Sequence, residues 1–142
     1  MSQKHKILIA DDEPNILLSL EFLMKKMNYE VFIARNGSEA MEILKTEIPD
    51  LVVLDVMMPD LDGYEICKHI RKTALLKHIK VVFISAKTKE VDIAKGLALG
   101  ADDYITKPFS TRFLMNRVKE LLQPEGPGKS IILFSIFQKL NF

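Results

Sequence analysis

The sequence predicts an α/β domain, a five-stranded parallel sheet with helices wound over both faces in a (βα)5 array. Three observations predict it. Short apolar runs of strand length alternate five times with longer segments of helical period. Three of those runs, Val31–Ala34, Leu51–Leu54 and Val81–Ile84, are apolar at every position, as strands are when helices cover both sides of a sheet. A chain of 142 residues can bury about two-thirds of its unfolded surface in one domain and is too short for two.

The strands are expected at Lys6–Ala10, Val31–Ala34, Leu51–Leu54, Val81–Ile84 and Asp103–Ile105. After the first, Pro14–Met27 carries Ile16, Leu17, Leu20, Leu23, Met24 and Met27 at helical spacing, with Pro14 suited to the first turn and Asp12 or Glu13 near the cap. Ser38–Lys45 follows Asn36-Gly37, and Tyr64–Lys72 follows Gly63. Val91–Leu99 is closed by Gly100, at a position that tolerates positive φ. Ser110 caps a fifth helix whose expected buried stripe is Phe113, Leu114, Val118, Leu121 and Leu122. Residues 1–122 form the domain. Residues 123–129, Gln-Pro-Glu-Gly-Pro-Gly-Lys, read as a linker. In residues 130–142, Ile131, Ile132, Leu133, Phe134, Ile136, Phe137 and Leu140 crowd into an apolar tail of open role: a docking segment, a truncated remnant or an artefact of expression.

Composition narrows the function classes. Twenty Lys+Arg against nineteen Asp+Glu give a net charge of +1, which excludes a polybasic nucleic-acid arm and intrinsic disorder. The single cysteine, Cys67, forms neither an internal disulfide nor a Cys-rich zinc site, and a reducing cytoplasm is expected. No signal peptide and no run of roughly 20 apolar residues is present, so neither secretion by that route nor a membrane span is expected.

The site follows from topology. With strand order 2-1-3-4-5, the flavodoxin-like doubly wound arrangement, ligands bind beyond the carboxyl ends of strands one and three, where the winding reverses. Strand one runs into Asp11-Asp12-Glu13 and strand three into Asp55. Two carboxylates about 4 Å apart at an effective dielectric near 20 repel by about 4 kcal/mol, so several pairs rival the roughly 5–15 kcal/mol that holds a domain together. Asp11, Asp12 and Asp55 sum to −3; Lys107 after strand five and a divalent cation balance them. Oxygen donors without a nearby His or Cys favour Mg²⁺, or Mn²⁺, over zinc. Singly, Asp12 is an N-cap, Asp55 a turn residue, Ser85 a cap and Lys107 a solvated charge. Converging on one end of one sheet, they form a site.

The motifs Ile-Leu-Ile-Ala-Asp11-Asp12-Glu13-Pro, Leu54-Asp55-Val-Met-Met-Pro59-Asp-Leu-Asp-Gly63-Tyr, Ile84-Ser85-Ala86 and Gly100-Ala-Asp-Asp-Tyr104-Ile-Thr-Lys107-Pro108-Phe occur in order at the strand ends. Over about residues 5–122 the chain resembles the receiver domain of bacterial two-component response regulators, the CheY-like receivers. The resemblance implies that Asp55 accepts a phosphoryl group from a histidine kinase or histidine phosphotransfer protein. It implies a Mg²⁺ held by Asp11, Asp12, Asp55 and the Met57 backbone carbonyl, Lys107 gripping a phosphoryl oxygen, and a cis peptide before Pro108. It also implies Ser85 and Tyr104 as switch residues, and an output face of helix four, strand five and helix five that meets a downstream protein or a second copy. Such a domain is a phosphoacceptor that catalyses its own phosphorylation and dephosphorylation, not an enzyme acting on a separate substrate. Direct nucleic-acid contact from this domain is not expected.

Two residues depart from the family pattern. Lys87 stands two beyond Ser85, where a cation beside the phosphoryl group is expected to alter water access. Phe113 stands where dimerising DNA-binding relatives often carry Glu, although Lys95, Asp102, Asp103, Arg112 and Arg117 suit a charged dimer surface. One alternative is a receiver cut from a longer regulator with a DNA-binding or enzymatic output. A phosphohydrolase of the haloacid dehalogenase type needs an acid two residues after its nucleophile, where this chain has Met57. A nucleotide-binding module needs a phosphate loop after strand one, where this chain has three acids. His5, His69 and His78 read as isolated, and the run Lys68, His69, Arg71, Lys72, Lys77, His78, Lys80 as a solvated face.

Overall fold

The protein is described from a computed structural model covering residues 3–124. The apolar tail and all but the first two residues of the linker lie outside the described residues. The elements are β1 (Lys6–Ala10), α1 (Pro14–Lys26), β2 (Glu30–Ala34), α2 (Gly37–Thr46), β3 (Leu51–Asp55), α3 (Gly63–Lys72), β4 (Lys80–Ser85), α4 (Glu90–Ala98), β5 (Asp103–Thr106) and α5 (Thr111–Leu121). The strands form one sheet in the order β2-β1-β3-β4-β5, every neighbouring pair parallel.

Alternation along the strands divides the core into two layers. Leu8, Val52, Leu54, Val81 and Phe83 pack against Ala40 and Leu44 of α2 and Ile66 and Ile70 of α3. Ile7, Ile9, Val53, Val82 and Ile84 pack against Leu17, Leu20 and Met24 of α1 and Leu114 and Val118 of α5. At roughly 1.5–3 kcal/mol per fully buried large side chain, these layers are the main source of stability.

Caps fix where the helices begin. Asn36 accepts from the Glu39 amide at 2.8 Å, Asp62 from the Glu65 amide at 3.0 Å, and Ser110 from the Phe113 amide at 3.2 Å. α1 starts at Pro14 after Glu13, whose side chain makes no cap bond. The ladder runs on to Asp55 and Ser85, paired with Ile84 and Thr106, so both polar side chains sit on the last residues of central strands rather than in the loops beyond.

One expected stripe is corrected. Phe113 is 52% exposed, and the buried residues of α5 are Leu114, Met115 and Val118. With Ser110 as the cap, the inward line runs through 114, 118 and 121, and Phe113 falls about one residue, or roughly 100°, outside it.

Candidate functional site

The sheet delivers its polar residues to one edge. Asp11 follows β1, with its amide bonded to the Ala34 carbonyl at 3.1 Å, and its carboxylate is completely buried. Asp55, ending β3, is 3% exposed, and Ser85, ending β4, is fully buried. Carboxylate oxygens of Asp11, Asp12 and Asp55 lie within 4.8 Å of one another. Asp12 is exposed at the mouth of the crevice while the other two form its floor.

Lys107 enters from the end of β5. Its amide donates to the Ser85 carbonyl at 2.7 Å, and the Lys107–Pro108 peptide is cis. Its ammonium lies 3.1 Å from Asp11 Oδ2, 3.3 Å from Asp55 Oδ2 and 3.5 Å from Glu13 Oε1. Backbone donors share the load: the Glu13 amide bonds Asp11 Oδ1 at 2.8 Å, and the Met57 amide bonds Asp55 Oδ1 at 3.2 Å. Asp11 Oδ2 keeps no hydrogen bond of acceptable geometry despite the nearby ammonium, an orphaned acceptor aimed into the crevice.

One lysine does not neutralise this cluster. Burial pushes the Asp55 carboxyl up to about 7, and the Asp11 charge pushes the same way, against Lys107 and the Met57 amide. Burial also raises Asp11, although the Glu13 amide and Lys107 oppose it. Burial works to lower Lys107, but Asp11, Asp55 and Glu13 outweigh it and hold the ammonium above its usual range. An oxygen-rich crevice with an unsatisfied buried carboxylate fits a hard divalent cation.

Ser85 and Tyr104 meet at Lys87 rather than at the acids. Ser85 Oγ accepts from the Lys87 amide at 3.0 Å, and the Tyr104 hydroxyl donates to the Lys87 carbonyl at 2.9 Å. Tyr104 is buried, with its ring beside Phe83 at 5.9 Å between centroids. The loop after β4 is thereby tied on one side to the crevice strand and on the other to β5.

Several residues differ from their expected surroundings. Glu13, outside the candidate ligand set, joins the Lys107 cluster; its place beside Asp11-Asp12 is the available signal. Asp60, with φ of 66°, accepts from the Gly37 amide at 3.1 Å and the Ser38 hydroxyl at 2.6 Å, tying the β3–α3 loop to α2. His5 is not isolated, since its Nδ1 lies 3.6 Å from Asp50 Oδ2. Arg71 does not belong to a solvated run: it bonds the Gly100, Lys77 and Ile79 carbonyls and the Asp102 carboxylate. Asp103 and Arg117 pair with each other within the chain at 2.6 Å. No helix among the described residues is long and apolar enough to cross a membrane.

Comparison with known proteins supplies the family. Residues 7–119 match the profile of the response regulator receiver domain. The chain is 47% identical over 118 residues to the alkaline phosphatase synthesis transcriptional regulatory protein PhoP of Bacillus subtilis, an overlap of 83% of this chain and 48% of that protein. It therefore spans about half the length of this curated relative. Among solved structures, the BeF3-activated receiver domain of DrrB from Thermotoga maritima superposes with a TM-score of 0.79 at 34% identity, covering 86% of this chain and all of that one. The chemotaxis response regulator CheY4 of Vibrio cholerae gives 0.79 at 27% identity, covering 84% of this chain and all of that one. With the strand order, the carboxylate crevice and a profile match over most of its length in agreement, the chain belongs to the response regulator receiver family of two-component systems.

Proposed function

We propose that Asp55 is the phosphoacceptor, taking a phosphoryl group from the histidine of a kinase or phosphotransfer protein. The observation that carries this is the joint approach of Asp55 Oδ2 and Asp11 Oδ2 to within 3.3 Å of the Lys107 ammonium. An Asp55 oxygen forms the new bond to phosphorus as the bond from phosphorus to the donor nitrogen breaks, and the departing imidazole keeps the electron pair and takes a proton. Lys107 holds a phosphoryl oxygen, and Asp11 keeps its ammonium aligned. Hydrolysis of the acyl phosphate by water returns the carboxylate, so both half-reactions belong to the domain itself.

Asp11, Asp12, Asp55 and the Met57 carbonyl are the proposed ligands of Mg²⁺, with Mn²⁺ as a substitute. Bound there, the ion supplies two positive charges against the carboxylates and the incoming phosphoryl oxygens. Ser85 and Tyr104 are the proposed switch pair, since both hold the main chain of Lys87. A phosphoryl oxygen that draws the Ser85 hydroxyl away releases one side of that tether, and the α4-β5-α5 face then meets a downstream protein or a second copy. A cytoplasmic location belongs to the same reading, supported by the free buried thiol of Cys67. The length of the B. subtilis relative, a transcriptional regulator, supports a second part: in a longer protein this receiver governs a DNA-binding output.

The test is incubation with a small-molecule phosphodonor and Mg²⁺, followed by intact mass measurement. Wild type is expected to gain one phosphoryl increment and Asp55→Ala none; an increment surviving in the variant overturns the assignment. Removing Mg²⁺ with a chelator is expected to abolish the gain. Steady turnover of phosphate esters favours a hydrolase instead.

A further inference from the structure

α4 is an unusual helix in this fold because its own side chains hardly anchor it. Gly96 is its single buried residue; Val91 and Leu97 face solvent, and Ile93 is partly buried. A helix normally fixes its position by burying an apolar stripe. Beside the packing of Gly96 and Ile93 on the sheet, α3 sends donors to the backbone of α4 and of the two residues that close it. The Tyr64 hydroxyl donates to the Asp92 carbonyl at 3.1 Å, the Cys67 thiol to the Leu99 carbonyl at 3.7 Å, and Arg71 Nε to the Gly100 carbonyl at 2.8 Å. Residues 64, 67 and 71 are spaced i, i+3, i+7, so one face of α3 forms a rail of donors along the length of α4.

The two ends of the rail differ in strength. At the Gly100 end, Arg71 is held by three carbonyls and by Asp102, whose carboxylate also accepts from the Val81 amide at 2.8 Å. Gly100, with φ of +105°, closes α4, and a Cβ there would sit 3.0 Å from Arg71. At the Asp92 end the hydrogen bond from α3 comes from a single neutral hydroxyl. The Tyr64 ring that carries it is fixed from two sides. It meets Phe83 edge-on at 5.4 Å between centroids, Phe83 continues to Tyr104, and the Lys95 ammonium of α4 covers the ring at 4.5 Å.

We propose that Tyr64 is a positioning residue for the output helix: its hydroxyl latches the first turn of α4 while Arg71 pins the opposite end. The helix then moves by swinging about Gly100 when the latch opens. This rests on the phosphoacceptor reading for the trigger, because Tyr104 and Tyr64 flank Phe83 and hold the loop and helix that follow Ser85.

The experiment is residue-resolved amide hydrogen exchange on the full chain, wild type and Tyr64→Phe, before and after treatment with a small phosphodonor and Mg²⁺. Loss of one hydrogen bond predicts roughly 3- to 10-fold faster exchange in the Asp92–Gly96 turn of unmodified Tyr64→Phe, with Leu99–Ala101 unchanged. Phosphorylation is expected to speed the same turn in wild type and to add little in the variant, while both acquire the phosphoryl increment at comparable rates. Unchanged exchange, a uniform rise across the domain, or a full phosphorylation-dependent rise persisting in Tyr64→Phe overturns the latch. Should Tyr64→Phe fold poorly, Arg71→Lys tests the pin: exchange must rise at Leu99–Ala101 and not at Asp92–Gly96, and a rise at both ends overturns the proposal. If wild type gains no phosphoryl group, the phosphoacceptor reading fails, whereas the latch is still decided by the unmodified proteins.

Discussion

α3 and α4 are neighbours of ten and nine residues that leave adjacent strands at the same edge of the sheet, yet they are held by opposite means. α3 buries Tyr64, Ile66, Cys67 and Ile70, whereas α4 buries only a glycine. A helix fixed by buried volume shifts only by opening the core, where each large side chain is worth roughly 1.5–3 kcal/mol. A helix hung on hydrogen bonds worth about 0.5–1.5 kcal/mol each can shift for far less. The contrast puts the deeply packed helix after Asp55 and the thinly packed one after Ser85.

Core truncation is the strongest way to break that contrast. Ile66→Ala is expected to cost about 2–5 kcal/mol in urea unfolding, since Ile66 is fully buried. Ile93→Ala in α4 is expected to cost about 1 kcal/mol or less, because Ile93 is only partly buried. Equal losses would show α4 to be packed like α3. Arg71→Ala is expected to cost about 2 kcal/mol, below the usual toll for breaking a buried pair because both side chains of the Arg71–Asp102 pair are about a quarter exposed.

Protonation sharpens the comparison at the shared crevice. The Asp55 carboxyl sits near 7 when folded, far above its unfolded value, so the folded state holds an extra proton between the two. That contribution is complete below the unfolded value near 4 and is lost as pH rises through about 7. Metal-free protein is therefore expected to lose on the order of 2 kcal/mol between pH 5 and pH 8, read from the urea midpoint. Millimolar Mg²⁺ is expected to shrink the loss, since carboxylates bind the ion deprotonated. Amide exchange is expected to rise in the β4–α4 loop before it rises in α3. A metal-free stability that climbs over this range would contradict the raised carboxyl.

How much of this is legible in the sequence depends on whether a residue's role is local. Strands, the Ser110 cap and the convergence of Asp11, Asp12, Asp55 and Lys107 follow from apolar runs, cap chemistry and one topological rule, and they stand within about a residue of where expected; the Asn36 and Asp62 caps come from the structure. Arg71 reads as one cation in a solvated run because two of its partners, Gly100 and Asp102, lie about thirty residues away and the other two are backbone carbonyls that no side chain announces. Tyr64 carries no signal beyond an aromatic at an inward helical position. Phe113 falls on the wrong side because the Ser110 cap fixes where α5 begins but not how the helix is rotated against the sheet, and one residue of phase is enough to turn a side chain from core to solvent.

The finest test uses two glycines. At Gly63, in the first turn of α3, an added Cβ would collide with the Asp55 carbonyl and the Val56 backbone, which cannot yield without moving the end of β3. At Gly96 the same atom would meet Tyr104 Cδ2 at 2.9 Å and Phe83 Cδ2 at 3.1 Å, both side-chain atoms. Gly96→Ala gains about 1 kcal/mol of helix propensity and loses about 1–3 kcal/mol to crowding, so its net effect is expected to be about 1 kcal/mol. Its structural effect should exceed its energetic one: α4 lifts, or Tyr104 turns outward and becomes quenchable by acrylamide in tyrosine fluorescence. Gly63→Ala should instead lower stability by more and slow phosphorylation of Asp55. If Gly96→Ala proved the more damaging of the two, α4 would be the element fixed by packing, and the contrast between the helices would be reversed.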